Sequence, residues 1–145
     1  MYDHVIVPVD LSHPNPEKQA LAAAKDILAP RGKLTLLHVI PPPHPSYAAL
    51  GVMDSAPKAE ALENVKRLLQ DLIKKNDLPA NTEIRIENGR VPRTICDSVT
   101  DIDRQVIVMS SHNPTFTDYM LGSVAAQVVK HAECSVFIVR HAASR

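Results

Sequence analysis

Glycine is scarce in this chain and proline is not: there are four glycines and twelve prolines in 145 residues. Proline has no amide donor and a fixed φ, so so many prolines belong at junctions between elements rather than inside helices or central strands. Cysteine is nearly absent. Cys96 and Cys134 show neither metal-ligand nor C-x-x-C spacing, which removes a disulfide framework, a zinc site and a dithiol redox motif; reduced thiols in the cytoplasm are the expected setting. An excess of charge of either sign is also missing, with 16 Lys and Arg against 16 Asp and Glu. That leaves no electrostatic case for nucleic acid as a partner. No apolar run reaches membrane length, and Asp3 and Asp10 flank the first one, so neither a membrane span nor a signal peptide is expected. Three catalytic motifs are missing too. There is no Walker loop and no H-E-x-x-H, and Ser123 lies in Leu121-Gly122-Ser123-Val124-Ala125 rather than in a strained G-x-S-x-G turn. No catalytic residues are therefore assigned.

What is present is an ordinary globular composition, 45% hydrophobic and 22% charged, which suits a single domain over residues 1–145. Val5-Ile6-Val7-Pro8-Val9-Asp10 is an unbroken apolar run, the mark of a strand buried on both faces. Pro8 cannot join a ladder as donor, so the strand ends there and Asp10 falls at its carboxyl end. Asn15-Pro16-Glu17 reads as a helix start, with an N-cap, a proline and an acid. Leu21, Ala24 and Leu28 share one face of that helix, and Pro30-Arg31-Gly32 stops it. Lys33 to Ile40 is a second buried strand. A stiff segment, Pro41-Pro42-Pro43-His44-Pro45, follows, and residues 46–57 continue it without periodicity, placed to cover a ligand or a partner.

The spacing of Leu62, Val65, Leu69 and Leu72 predicts a helix from Lys58 to Asn76, ended by Asp77-Leu78-Pro79. Thr82 to Glu87 alternates apolar and charged residues, as an edge strand does. Gly89-Arg90-Val91-Pro92 feeds a helix carrying Val91, Ile95 and Val99. Val106 to Ser110 is a fourth strand, Val124 to Ala132 a further helix and Ser135 to Val139 a fifth strand. Strand and helix alternate throughout. The expected fold is α/β: a single-domain, open five-stranded parallel sheet with helices on both faces and right-handed crossovers. A strand order of 3-2-1-4-5 would bring the first and fourth strands together at a switch point, with Asp10 and the loop after Met109 facing one crevice.

The stretch Val106 to Val124 carries the functional expectation. A buried strand runs into a polar turn, Ser110-Ser111-His112-Asn113-Pro114, and the segment closes on Gly122-Ser123 at the mouth of a helix. Free amides and the positive end of the helix dipole then point the same way, which is the geometry that holds phosphate. Blander readings stand beside it. Ser123 would serve as an ordinary N-cap, Asp10 as the cap of a turn before Ser12, and His112 as a loop histidine without a role.

These same segments resemble the universal stress protein superfamily nearly end to end. The matching residues are Val5-Ile6-Val7-Pro8-Val9-Asp10, Leu36-Leu37-His38-Val39, Gly89-Arg90-Val91-Pro92 with Ile95, Ile107-Val108-Met109, Leu121-Gly122-Ser123-Val124-Ala125, and His131-Ala132-Glu133-Cys134-Ser135-Val136. The Ser111-His112-Asn113-Pro114 loop and the segment around Tyr47-Ala48-Ala49-Leu50-Gly51 look most like the F/G-type bacterial members. The resemblance implies a Rossmann-like, adenine-nucleotide α-hydrolase-like domain that binds ATP in a stress-response role. Family members of the ATP-binding branch carry G-x-x-G, a spacer and G-[ST]. Here Ser110 and Asn113 stand at the two glycine positions, and the spacer of eight residues, Pro114 to Leu121, is one short.

Carried over residue by residue, the resemblance implies an adenine slot at Pro8, Val9 and the backbone of Val39. Asp10 would lie near the ribose–phosphate or a Mg²⁺ ion that accompanies ATP. Met109 and Ser110 would lie under the ribose, while His112, Asn113, Gly122, Ser123 and Val124 would face the phosphates. It also implies homodimers paired through the last strand, Ser135 to Val139, which would remove an exposed apolar edge. The expected function is a nucleotide-dependent regulatory module. Its rivals are a nucleotide-free homodimeric interaction protein and a slow ATPase.

Overall fold

The structure is a computed structural model that describes residues 1–12, 17–43, 59–111 and 121–140. The expected cover at 46–57, the Asn15-Pro16 helix start, and His112 and Asn113 lie outside the described residues. In chain order the elements are β1 (Tyr2–Pro8), α1 (Lys18–Ile27), β2 (Leu28–Ile40), α2 (Ala59–Lys75), β3 (Glu83–Asn88), α3 (Val91–Asp97), β4 (Gln105–Ser110), α4 (Ser123–His131) and β5 (Ser135–Val139). They build one five-stranded sheet in the order β3-β2-β1-β4-β5. Every pairing is parallel, so the order expected from the sequence is the one observed.

Burial explains the apolar runs. Val5, Ile6 and Val7 of the central strand are all fully buried, because helices cover both faces of the sheet. Alternate residues serve different cores. Val5, Val7 and Val9, Leu34 and Leu36, and Val106 and Val108 pack with Leu21 and Ala24 of α1 and Leu69 of α2. Ile6, Leu37 and Val39, Ile107 and Met109 pack on the other face, with Ile95 of α3 and Ala125 and Val128 of α4. Each such fully buried side chain contributes roughly 1.5–3 kcal/mol relative to exposure. Cys134 belongs to this second core, and burial pushes its thiol up, as it does that of Cys96. Both behave as packing groups, not as reactive thiolates.

The first helix ends earlier than its apolar spacing suggests. Leu28 is the C-cap of α1, in an extended conformation, and already pairs with Tyr2 as the first residue of β2. The register then shifts, and His4 pairs with Lys33. Pro30-Arg31-Gly32 therefore lies within an irregular strand start and does not terminate the helix. Gly32 fits closely there, since a Cβ would come within 2.6 Å of the Leu28 side chain. β3 is an edge strand with half-buried residues, in accord with its alternating sequence. Gly89, at φ +152°, turns β3 into α3 in a conformation that favours glycine, and its amide donates to the Ile40 carbonyl at 3.0 Å.

A polar network ties β1, β2 and β4 together near their amino ends. The Gln105 carbonyl oxygen accepts the amides of Thr100 and Asp101, which turns its NH₂ toward His4 Nδ1 at 2.6 Å. His4 Nε2–H then donates to the buried Thr35 hydroxyl at 2.7 Å. Burial holds the His4 imidazole below its ordinary pKa; Lys33 adds to this, Glu83 opposes it and Arg85 adds a little more.

Candidate functional site

The carboxyl ends of the parallel strands open into a cavity of about 640 Å³. It sits where the chain order reverses, between β1, which continues to β2 on one side, and β4 on the other. Crevices at such switch points are the usual ligand sites of open α/β sheets. Pro8, Val9 and Asp10 line it from the end of β1, and Val39 from the end of β2. Met109 and Ser110 contribute from β4, and Gly122, Ser123 and Val124 from the entry to α4. The tertiary fold thus gathers every described residue of the expected site around one space. Val91 and Ile95 of α3, with Leu37 and Val39, supply an apolar wall of the kind that accepts a flat ring.

The end of β1 is held in shape by backbone and imidazole contacts. The Val9 amide donates to the Leu37 carbonyl at 2.8 Å, continuing the ladder past Pro8. His38 Nδ1 lies 2.9 Å from the Val9 carbonyl, which can only accept, so Nδ1 carries the proton there. Asp10 does cap a turn: its Oδ1 accepts the Ser12 amide at 2.9 Å and the Ser12 hydroxyl as well. It lines the cavity at the same time, so the two readings of this residue are not exclusive.

The entry to α4 differs from the N-cap reading. Gly122 is the N-cap, and Ser123 is the first helical residue. Ser123 therefore does not cap the helix, and Gly122, with no side chain, makes no side-chain cap hydrogen bond. The first amides of α4 have no carbonyl four residues back within the helix, and they stand at the positive end of its dipole. Gly122 is buried, and its carbonyl accepts the Ala126 amide at 2.9 Å, which starts the helix.

Of the lining residues outside the expected site, Glu17 is the one that carries a carboxyl. Glu17 reads in the sequence as a helix-start acid, yet it is the N-cap residue of α1, only 6% exposed, and part of the cavity wall. Its side chain does not cap its own helix. Instead Oε1 accepts the Asp10 amide at 3.0 Å. Burial pushes the Glu17 carboxyl up to about 7; the hydrogen bond from Asp10 opposes the rise, and the nearby Asp10 charge adds to it. The signal available in the sequence was an acid seven residues after Asp10, and spacing alone does not say that the two meet.

Among the described residues no group of three or more His, Cys, Asp or Glu side chains is arranged to hold a metal ion. Asp10 and Glu17 are the carboxylates that line the cavity.

An open parallel sheet with an apolar-walled cavity, a helix entry and a carboxylate at its switch point defines a doubly wound α/β protein. The chain belongs to the universal stress protein family, whose family model matches residues 1–140. It is 28% identical to universal stress protein G of Salmonella typhimurium, over 97% of this chain and all of that one. Among solved structures it is similar to the universal stress protein UspA from Lactobacillus plantarum, at 26% identity and a TM-score of 0.67, covering 96% of this chain and 98% of that one. A universal stress protein in complex with cAMP shares the fold at 20% identity, with a TM-score of 0.68 and coverage of 97% and 99%. The universal stress protein from Archaeoglobus fulgidus in complex with dAMP does so at 20% identity, with a TM-score of 0.62 and coverage of 96% and 98%.

Proposed function

We propose that this protein binds an adenine nucleotide in the switch-point cavity and acts as a nucleotide-dependent regulatory module of the stress response. The observation that carries the reading is the N-terminus of α4, where Gly122 and Ser123 line the same cavity as Asp10 and the apolar wall of Val39, Val91 and Ile95. Such a site offers an apolar slot for a base and the amides of a helix N-terminus for a phosphate. Two solved proteins of the same fold are described as complexes with cAMP and dAMP, which supports an adenine ligand. ATP is the nucleotide the family resemblance favours, entering with Mg²⁺. The working form is a cytoplasmic homodimer paired through Ser135–Val139. β5 is the outer strand of the sheet on that side and exposes Phe137, which supports pairing there.

A rival reading is a nucleotide-free interaction protein, favoured by Ser110 and Asn113 at the positions where the ATP-binding branch has glycine. Calorimetric titration with Mg-ATP and AMP, together with melting temperature, separates the two. Binding with a raised melting temperature is expected. No response at millimolar nucleotide would overturn the proposal.

A further inference from the structure

One peptide group at the cavity is held from both sides. The β1–β2 ladder ends with Pro8 opposite Leu37, and the Val9 amide still reaches the Leu37 carbonyl. The next peptide, between Val9 and Asp10, lies beyond the ladder, and two side chains satisfy it. Its carbonyl accepts Nδ1–H of His38 at 2.9 Å, and its N–H donates to Glu17 Oε1 at 3.0 Å. His38 comes from β2 and Glu17 from the N-cap position of α1. Both line the cavity, as do Val9 and Asp10. Glu17 stands where a side chain would cap its own helix, yet it makes no such bond and serves the Asp10 amide instead. A buried peptide group without partners is costly, and Val9 is buried, so these two bonds let the chain leave the sheet at this point. The Asp10–Ser12 turn starts from the held peptide, with the Ser12 amide donating back to Asp10 Oδ1 at 2.9 Å.

We propose that Glu17 and His38 are positioning residues of the ligand site: by gripping the Val9–Asp10 peptide at its two poles, they fix how the Asp10–Ser12 turn is presented to a bound nucleotide. The inference rests on the reading of the cavity as an adenine-nucleotide site. Neither side chain has to touch the nucleotide. The peptide is planar, so its orientation is set by rotation about the bonds on either side of it. With the carbonyl bonded to His38 and the N–H bonded to Glu17, it cannot rotate without breaking a hydrogen bond. The turn is therefore ordered before a ligand arrives, and binding does not bear the cost of ordering it. What the grip requires is an acceptor at position 17 and a donor at position 38.

The test is calorimetric titration with AMP, and with Mg-ATP as a second probe, of wild type, Glu17→Ala, His38→Ala, Glu17→Gln and His38→Asn. Glu17→Gln keeps an oxygen acceptor, and His38→Asn keeps an N–H donor close to the position of Nδ1. Each alanine variant should bind on the order of tenfold more weakly than wild type. Glu17→Gln and His38→Asn should recover most of that loss. Hydrogen exchange of the Asp10 amide, followed on the same samples, should be slow in wild type and Glu17→Gln and fast in Glu17→Ala. Alanine variants that bind like wild type would overturn the proposal. So would Glu17→Gln and His38→Asn as weak as the alanine variants, or a Glu17→Ala that loses affinity while its Asp10 amide stays protected. Failure of wild type to bind either AMP or Mg-ATP would instead remove the nucleotide reading and this inference with it. If an alanine variant does not melt cooperatively, exchange in wild type decides: an Asp10 amide protected without ligand supports the proposal, and one protected only after AMP is added overturns it.

Discussion

The amide of Asp10 donates to Oε1 of Glu17 at 3.0 Å, and this bond fixes a buried carboxyl in the wall of the switch-point cavity. The bond joins the end of β1 to the start of α1, so it links the shape of the site to the stability of the fold.

That link has a pH signature. The Glu17 carboxyl ionises at about 7 in the folded protein against an ordinary value of 4.5. Between those values the folded state retains a proton that the unfolded state releases, so this group's contribution falls as pH rises from 4.5 to 7 and stays low above. Glu17→Gln removes the penalty while keeping the acceptor. Chemical denaturation should show the variant more stable than wild type at pH 8, by up to about 2 kcal/mol after allowance for solvent screening. Near pH 4.5 the difference should shrink. Parallel pH curves for the two proteins would show that Glu17 carries no such linkage.

Ser123→Asp separates the fold from the ligand. An acid in the first turn of α4 complements the helix dipole and should leave stability unchanged or raise it by roughly 0.3–1 kcal/mol. The same charge occupies the place proposed for a phosphate. Nucleotide affinity should therefore drop by on the order of a hundredfold or more, since a like charge a few ångströms away is costly in a partly closed cavity. Melting temperature and titration on one sample check both halves. Unimpaired binding would place the phosphates elsewhere.

His4 works in the opposite sense to Glu17. Its folded pKa lies below the ordinary 6.5, first through burial. The unfolded chain therefore takes up a proton at a pH where the folded chain resists it, and stability falls as pH drops through 6.5 toward the folded value. The protonated ring would also turn an N–H toward the Gln105 NH₂ and lose that hydrogen bond. Because Glu17 changes in the same window, the measurement belongs in the Glu17→Gln background. There, His4→Gln should flatten the loss of stability as pH falls below 6.5. A slope that survives the substitution would assign it to other groups.

Phe137 is 44% exposed on β5, the outer strand of the sheet on that side. If two copies pair there, Phe137→Asp should shift the protein from dimer to monomer in sedimentation equilibrium, with the monomer still folded by circular dichroism. A dimer that persists at micromolar concentration would mean that pairing uses another surface.

Much of the architecture was written in local pattern. Val5-Ile6-Val7 and Val106-Ile107-Val108 are continuous apolar runs, and only a strand with helices over both faces buries all of each run. The alternation in Glu83 to Glu87 likewise marks an edge strand, and these residues are half-buried throughout. Gly122-Ser123 and Asp10 stood out because glycine, serine and aspartate at strand ends serve loops and helix entries. What pattern could not supply was which groups meet. Leu28 kept helical spacing yet begins β2, because pairing with Tyr2 outcompetes one more helical turn. The sequence suggested Ser123 as a cap, and the chain path made Gly122 the cap instead. Above all, Glu17 is polar and lies at a helix start, where local chemistry favours exposure. Only packing of α1 against the sheet brings it under the Asp10 amide and out of water, and desolvation, a property of the assembled surroundings rather than of the residue, then sets its charge.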